Sequence, residues 1–378
     1  MRSLAILVIL AAPLAPAQEP QQLAADINET VVRVPAKVDI YGRERSGTMV
    51  VTQFKPEGNG PFPIALINHG RPPSNRAEVA RYRFTPAARY LVRRGFAVWV
   101  PTRIGYGESG LDLDAEDSGS CGLKNYPPGF ENAAQEALAA LEYAKKQSFA
   151  DPTRVLVMGQ SFGGATTVAV AAKNPPGVVV AINFAGGSGG DPGSRPGEPC
   201  QPHRLEALYA DYGKTARVPM LWVYTENDKF FAPRYTKSWH QAFAAAGGKA
   251  EFKLLPPFGD NGHNLFVRGF ATWRPLVDSF LAQAGFAVPK SKDAPPASGY
   301  ARLEDVDKVP RISKEARDKD YKRFLDSDVP RAFAIGPAGQ YGYSSELDAT
   351  EVALRRCAQI AKTACKLYAV DDNVVWRD

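Results

Sequence analysis

Between residues 46 and 287, short apolar runs alternate with longer stretches in which apolar positions recur every three or four residues. The runs at 47–53, 63–68, 97–101, 154–159, 178–184, 219–225 and 250–255 predict strands. The stretches at 86–94, 131–147, 164–173, 235–246 and 271–284 predict helices between them. Val-Leu-Val-Met from Val155 and Val-Val-Val-Ala-Ile from Val178 are apolar at every position, as in strands covered on both faces. Such an alternation predicts an α/β fold on a mostly parallel twisted sheet flanked by helices. Trp99 and Trp222 fall inside strands and are expected in the core.

The pattern then breaks. Residues 287–298 contain three prolines, and 302–328 carry eight basic and eight acidic residues, so 288–329 reads as a charged linker. Apolar character returns after 330, with strands expected at 331–335, 365–370 and 374–376 and a helix at 349–361. A small α+β domain at 330–378 follows. A unit below about 70 residues usually needs a staple, which Cys357–Cys365 would supply.

Residues 1–17 read as a signal peptide: Arg2, an apolar run at 4–14 broken only by Pro13, and Ala15-Pro16-Ala17, with cleavage expected after Ala17. The run is shorter than the roughly 20 residues a membrane span needs, so no stable membrane insertion is expected. No cysteine lies near the cut to carry a lipid anchor. The mature protein is therefore expected in the periplasm or secreted, where Cys121–Cys200 would form a second, longer bridge. No CxxC or Cys/His cluster suggests a metal. Over 378 residues, 44% apolar and 10% aromatic content exclude a disordered chain. The net charge of +6, or +5 without Arg2, is spread along the chain, which argues against nucleic acid as a partner. Residues 18–287 thus form the main domain, with its core expected from about 45.

The strongest chemical signal is Gly159-Gln160-Ser161-Phe162-Gly163, between a buried strand and a helix of small residues. A sharp strand-to-helix turn needs glycine on both sides of the serine, and the helix N-terminus aims backbone N–H groups at developing negative charge. A second match, Gly186-Gly187-Ser188-Gly189-Gly190, runs into Asp191-Pro192-Gly193 and not into a helix, so Ser188 reads as a loop serine. A serine needs a base. Among His69, His203, His240 and His263, only His263 follows the last strand and completes the order nucleophile, acid, histidine. Asp228, just beyond the strand at 219–225, is the expected acid, ahead of Glu226; Asp260 is expected to shape its turn. The backbone N–H groups of Arg71, after Asn68-His69-Gly70, and of Phe162 are candidates for an oxyanion hole. His69 reads as structural.

In these features residues 45–287 resemble the α/β-hydrolase superfamily, and in particular its dienelactone hydrolase-like branch. His69-Gly70, Arg103-Ile104-Gly105-Tyr106-Gly107-Glu108-Ser109, the glycine-flanked Ser161, Asp228 and His263 fall in the family's order. The resemblance implies an eight-stranded, mostly parallel sheet, no cofactor, and acyl transfer to water through an acyl-serine. The name-giving lactonases use cysteine where this chain has Ser161, which favours a small carboxylic ester as substrate. Arg71, Arg103, Tyr106 and Tyr126 are expected near the rim of the site. Arginines there would favour an anionic substrate, although surface ion pairs are the plainer reading. The glycine- and proline-rich stretch at 185–217, tied by Cys121–Cys200, would make a short cover. The terminal unit resembles small cysteine-paired domains of exported bacterial proteins, and no partner is assigned to it. The rival readings are a serine peptidase of the same fold and a non-catalytic envelope-binding protein.

Overall fold

The computed structural model describes residues 23–111, 113–286, 294–327, 329–345 and 349–377. The expected signal peptide at 1–17 and the start of the expected linker, up to residue 293, lie outside them. After a 3₁₀ turn at Ala25–Ile27, the described residues form a hairpin in which β1 (Thr30–Ile40) turns at Tyr41 and Gly42 into β2 (Arg43–Phe54), paired antiparallel throughout. In β1, Val34, Ala36 and Val38 are buried while Arg33, Pro35 and Lys37 are exposed, a clean period of two. The core therefore begins well before the expected position 45.

Then come β3 (Phe62–Asn68), α1 (Thr85–Arg93), β4 (Ala97–Thr102), α2 (Pro127–Lys145), β5 (Ala150–Gln160), α3 (Phe162–Ala172) and β6 (Val178–Phe184). The domain closes with α4 (Pro202–Thr215), β7 (Met220–Thr225), α5 (Pro233–Ala245), β8 (Ala250–Leu255), α6 (Leu265–Arg268) and α7 (Phe270–Gln283). The sheet order is β1-β2-β4-β3-β5-β6-β7-β8, and β2 alone runs antiparallel to both its neighbours. This is the eight-stranded, mostly parallel sheet that the resemblance implies. Val155 and Val157 of β5 face a core shared with α2 to α5, and Leu156 and Met158 face a core shared with α1 and α7. Burial on both faces explains the unbroken apolar runs. Helix α4 was hidden by the glycine and proline before it, although Leu205, Leu208 and Tyr209 mark its buried face.

The second domain has α8 (Lys314–Ala316), a π-helical turn at Arg317–Tyr321, α9 (Lys322–Leu325), β9 (Ala332–Ile335), β10 (Tyr341–Ser344), α10 (Ala349–Ala361), β11 (Lys366–Val370) and β12 (Asn373–Val374). Its antiparallel sheet has the order β10-β9-β11-β12. Ala353 and Cys357 of α10 pack on one face. Val309, Ile312, Tyr321 and Phe324 pack against Phe333 and Tyr368 on the other. The charged stretch at 302–328 is thus no linker: its scattered apolar residues form half of this core. Ser298 N–H already donates to Val374 O at 2.9 Å, so the domain reaches back at least that far. Cys121 pairs with Cys200 and Cys357 with Cys365.

Candidate active site

Ser161 stands between the end of β5 and the first residue of α3, with φ 58° and ψ −125°. A residue with a side chain adopts that backbone only where the surroundings hold it. Its N–H donates to Phe184 O at 2.9 Å, and its carbonyl accepts from Ala165 N and Gly187 N. The flanking glycines are sterically required. A Cβ on Gly163 would lie 2.1 Å from Asn68 O, and one on Gly159 would lie 2.3 Å from Gly163 O. The second match behaves differently. Ser188 lies in a loop pressed against Phe230 and Phe231, with no helix behind it.

The loops after β7 and β8 bring Asp228 to His263. Asp228 Oδ2 is 2.9 Å from His263 Nδ1, both side chains being buried. Asp228 Oδ1 accepts from the N–H groups of Phe230 and Phe231 at 2.7 and 3.1 Å, so the carboxylate is held by its backbone as well. Two asparagines join the loops: Asn227 Oδ1 accepts from Phe258 N, and Asn261 Oδ1 accepts from Lys229 N and His263 N. A Cβ on Gly262 would strike Thr225 Oγ1. Phe230 stacks on the imidazole at 4.1 Å and Phe231 meets it edge-on at 5.4 Å. Gln160 Nε2 donates to His263 O at 3.0 Å, linking this loop to the residue beside Ser161. Among the described residues no hydrogen bond joins Ser161 Oγ to the imidazole; such contacts often tighten only when substrate binds. Glu226 and Asp260 are exposed, His203 is exposed on α4, and His240 Nε2 is bonded to Ala250 O.

The strand-end loop at His69–Arg71 lies against the serine, with a Cβ on Gly70 only 3.2 Å from Ser161 Cβ. Arg103 and Tyr106 are not at the rim. Both are fully buried, because the loop after β4 folds under the site. Arg103 pairs with Glu116 and donates to His69 O at 2.7 Å, and Tyr106 donates to the same carboxylate. Burial pushes the Tyr106 hydroxyl well above its ordinary range, with the Glu116 charge adding to it. Arg71 holds Asp114 in a two-pronged pair at 2.6 and 2.8 Å. Tyr126 is buried too, donating to Cys200 O. Arg103 is thus turned away from the cavity, whereas Arg71, as expected, stands at the rim: it lines the cavity beside Ser161 with its guanidinium paired to Asp114. Glu116 and Glu136 were missed because a buried carboxylate has no pattern in a sequence.

The sequence profile of the dienelactone hydrolase family matches residues 82–272, just over half of the chain. The chain belongs to the dienelactone hydrolase family. The match supports a hydrolase with a small-molecule substrate. Among solved structures, one described as a dienelactone hydrolase, from Klebsiella pneumoniae subsp. pneumoniae, is 18% identical, with TM-score 0.44 over 68% of this chain and 98% of that one. An esterase from Pyrococcus furiosus is 12% identical, with TM-score 0.49 over 71% of this chain and 98% of that one. An acylaminoacyl peptidase from Pyrococcus horikoshii is 13% identical, with TM-score 0.49, and 71% of this chain covers 43% of its length. The chain matches no curated protein.

In this member of the dienelactone hydrolase family a cavity of about 400 Å³ opens over Ser161 and Phe162. Phe230 and Phe231 form one wall, and the Cys121–Cys200 pair, Lys124 and Arg195 form part of another. Lys124 Nζ donates to Ser118 Oγ at 3.1 Å, and partial burial, outweighing the nearby Asp117, holds the group below the usual lysine range. Arg195 donates to Cys121 Sγ at 2.8 Å. Among the described residues, no group of three or more His, Cys, Asp or Glu side chains is arranged to hold a metal.

Proposed function

We propose that this chain is an exported serine hydrolase that cleaves a carboxylic ester of a small molecule through Ser161, His263 and Asp228. The observation that carries this is the buried Asp228–His263 pair, standing in the order serine, acid, histidine with a strained, glycine-flanked Ser161 open to a cavity. His263 Nε2 takes the Ser161 proton as Oγ attacks the carbonyl carbon. Asp228 holds the proton on Nδ1 and stabilises the imidazolium. The N–H groups of Arg71 and Phe162 receive the negative charge of the tetrahedral intermediate. The imidazolium protonates the departing alcohol, and water repeats the cycle on the acyl-serine. The apolar run at 4–14, the site at Ala17 and the two disulfides support export.

The test uses the chain from Gln18 onward and its Ser161→Ala variant. A fluorophosphonate probe and short p-nitrophenyl esters are each applied to both. Labelling should vanish in the variant and kcat should drop by several orders of magnitude, whereas a loss of tenfold or less in a folded variant rejects Ser161. Turnover of peptide anilides in place of esters would favour a peptidase.

A further inference from the structure

His69 and Arg103 both bond to the backbone beside Ser161. Arg103 N–H donates to His69 Nε2 at 3.1 Å, so Nε2 is an acceptor and the ring proton sits on Nδ1. Nδ1–H then donates to Gly70 O at 2.6 Å. Burial and the neighbouring Arg103 charge keep the imidazole neutral, as this arrangement needs. The Arg103 guanidinium reaches the same backbone from its other end, donating to His69 O at 2.7 Å and to Gly70 O at 3.4 Å. It is itself fixed by Glu116, which Tyr106 bonds in turn. The imidazole is stacked on Tyr82 at 3.8 Å, nearly parallel.

A trans peptide points its carbonyl and its next N–H in opposite directions. Two donors on Gly70 O therefore turn the Arg71 N–H the other way, while Gly70 itself lies against Ser161. Among the described residues that N–H has no backbone acceptor. The Phe162 N–H, first in its helix, lacks an intrahelical partner as well. The geometry points to His69 and Arg103 as positioning residues that lock the Gly70–Arg71 peptide, so that the Arg71 N–H is preset for the oxyanion. This rests on the serine hydrolase reading above. It also gives a reason for a charged, buried network at the ends of β3 and β4. A peptide free to rotate would give back much of the stabilisation a preset donor provides.

The experiment compares wild type, Arg103→Lys, which keeps a charge for Glu116 but loses the fork, and His69→Phe, which keeps the stack on Tyr82 but has no ring donor. Each is assayed on p-nitrophenyl acetate and for inhibition by phenylboronic acid, which forms a tetrahedral adduct on serine. Expected is a fall in kcat of ~10–100-fold with KM within about twofold, and boronate affinity falling in step with kcat. Folded variants with unchanged kcat, or with the loss confined to KM, overturn the positioning role alone. A wild type that neither turns over ester nor takes the fluorophosphonate overturns the hydrolase reading and this inference together. Should a variant fail to fold, ¹⁵N spectra of wild-type histidines decide. His69 should hold its proton on Nδ1 from pH 5 to 8, and an Nε2–H form or a titration in that range overturns the proposal.

Discussion

An asparagine at 228 would keep almost everything the carboxylate does except its charge. Its amide oxygen can still accept from Phe230 and Phe231 N–H, so the loop after β7 should hold its shape. Its NH₂ group, however, faces His263 Nδ1 and must donate there. The imidazole then carries its proton on Nε2 and can no longer accept one from Ser161. Asp228→Asn should therefore lower kcat on ester by ~10³–10⁴-fold near neutral pH with little change in melting temperature. Steady-state kinetics beside a thermal melt checks this, and a folded variant within tenfold of wild type removes Asp228 from the role. These residues were legible because the strand-and-loop order of this fold sets where they fall along the chain, and because the turn needs glycines where a Cβ has no room, as at Gly159 and Gly163. Arg103 and Tyr106 were misplaced because nothing local tells a loop that covers the site from one that folds beneath it. Their partners, Glu116 and the strand-end His69, decide which it is.

Among the elements, the segment between β6 and α4 forms one side of the cavity. It is tied at Cys200 to the 3₁₀ turn Cys121–Leu123, a bridge across 79 residues. Tyr126 bonding Cys200 O and Gln201 Nε2 bonding Gly122 O brace the same junction. Replacing both Cys121 and Cys200 by serine should lower the stability of the main domain by about 2–4 kcal/mol. Because both cysteines line the cavity, KM should rise several-fold while Ser161 still takes the fluorophosphonate. An unchanged KM in the reduced-loop variant would show that the strap serves stability only. The parallel strands were readable as unbroken apolar runs, since both faces are covered. Strand β1 was overlooked although its alternation is regular, because Pro35 and the charges around it interrupt an apolar reading. Helix α4 was overlooked because its start, Pro202, follows directly on a glycine- and proline-rich loop.

For the whole molecule, two domains were foreseen from the change in composition near 287, but the boundary was not. Charge balance alone made 302–328 look solvated, while its apolar residues are spaced to complete the second core. The main domain hides its charge instead, and that should show in how stability varies with pH. Glu136 is fully buried, receives Ile104 N–H on Oε1 at 2.6 Å, and is pushed up to about 8 chiefly by desolvation, partly offset by Ile104 N–H and the Arg103 charge. Between the usual glutamate range and that value the unfolded chain is ionised while the native state keeps the proton. Native stability therefore falls as pH rises through this window, by ~1.4 kcal/mol per unit. His69, held well below its usual 6.5, acts in the opposite sense: below that pH the unfolded chain takes a proton that the native state refuses. The two slopes cancel on the acid side of 6.5, leaving Glu136 unopposed from there to about 8. Across that interval, with the slope tapering as Glu136 begins to ionise near 8, wild type should lose ~1–1.5 kcal/mol, and Glu136→Gln, which can still accept from Ile104 N–H, should be nearly flat. Urea unfolding of the main domain at pH 6.5, 7.2 and 8 distinguishes the two. Parallel curves for wild type and variant would mean that Glu136 is already ionised at pH 6.5 and that its charge is carried by Arg103.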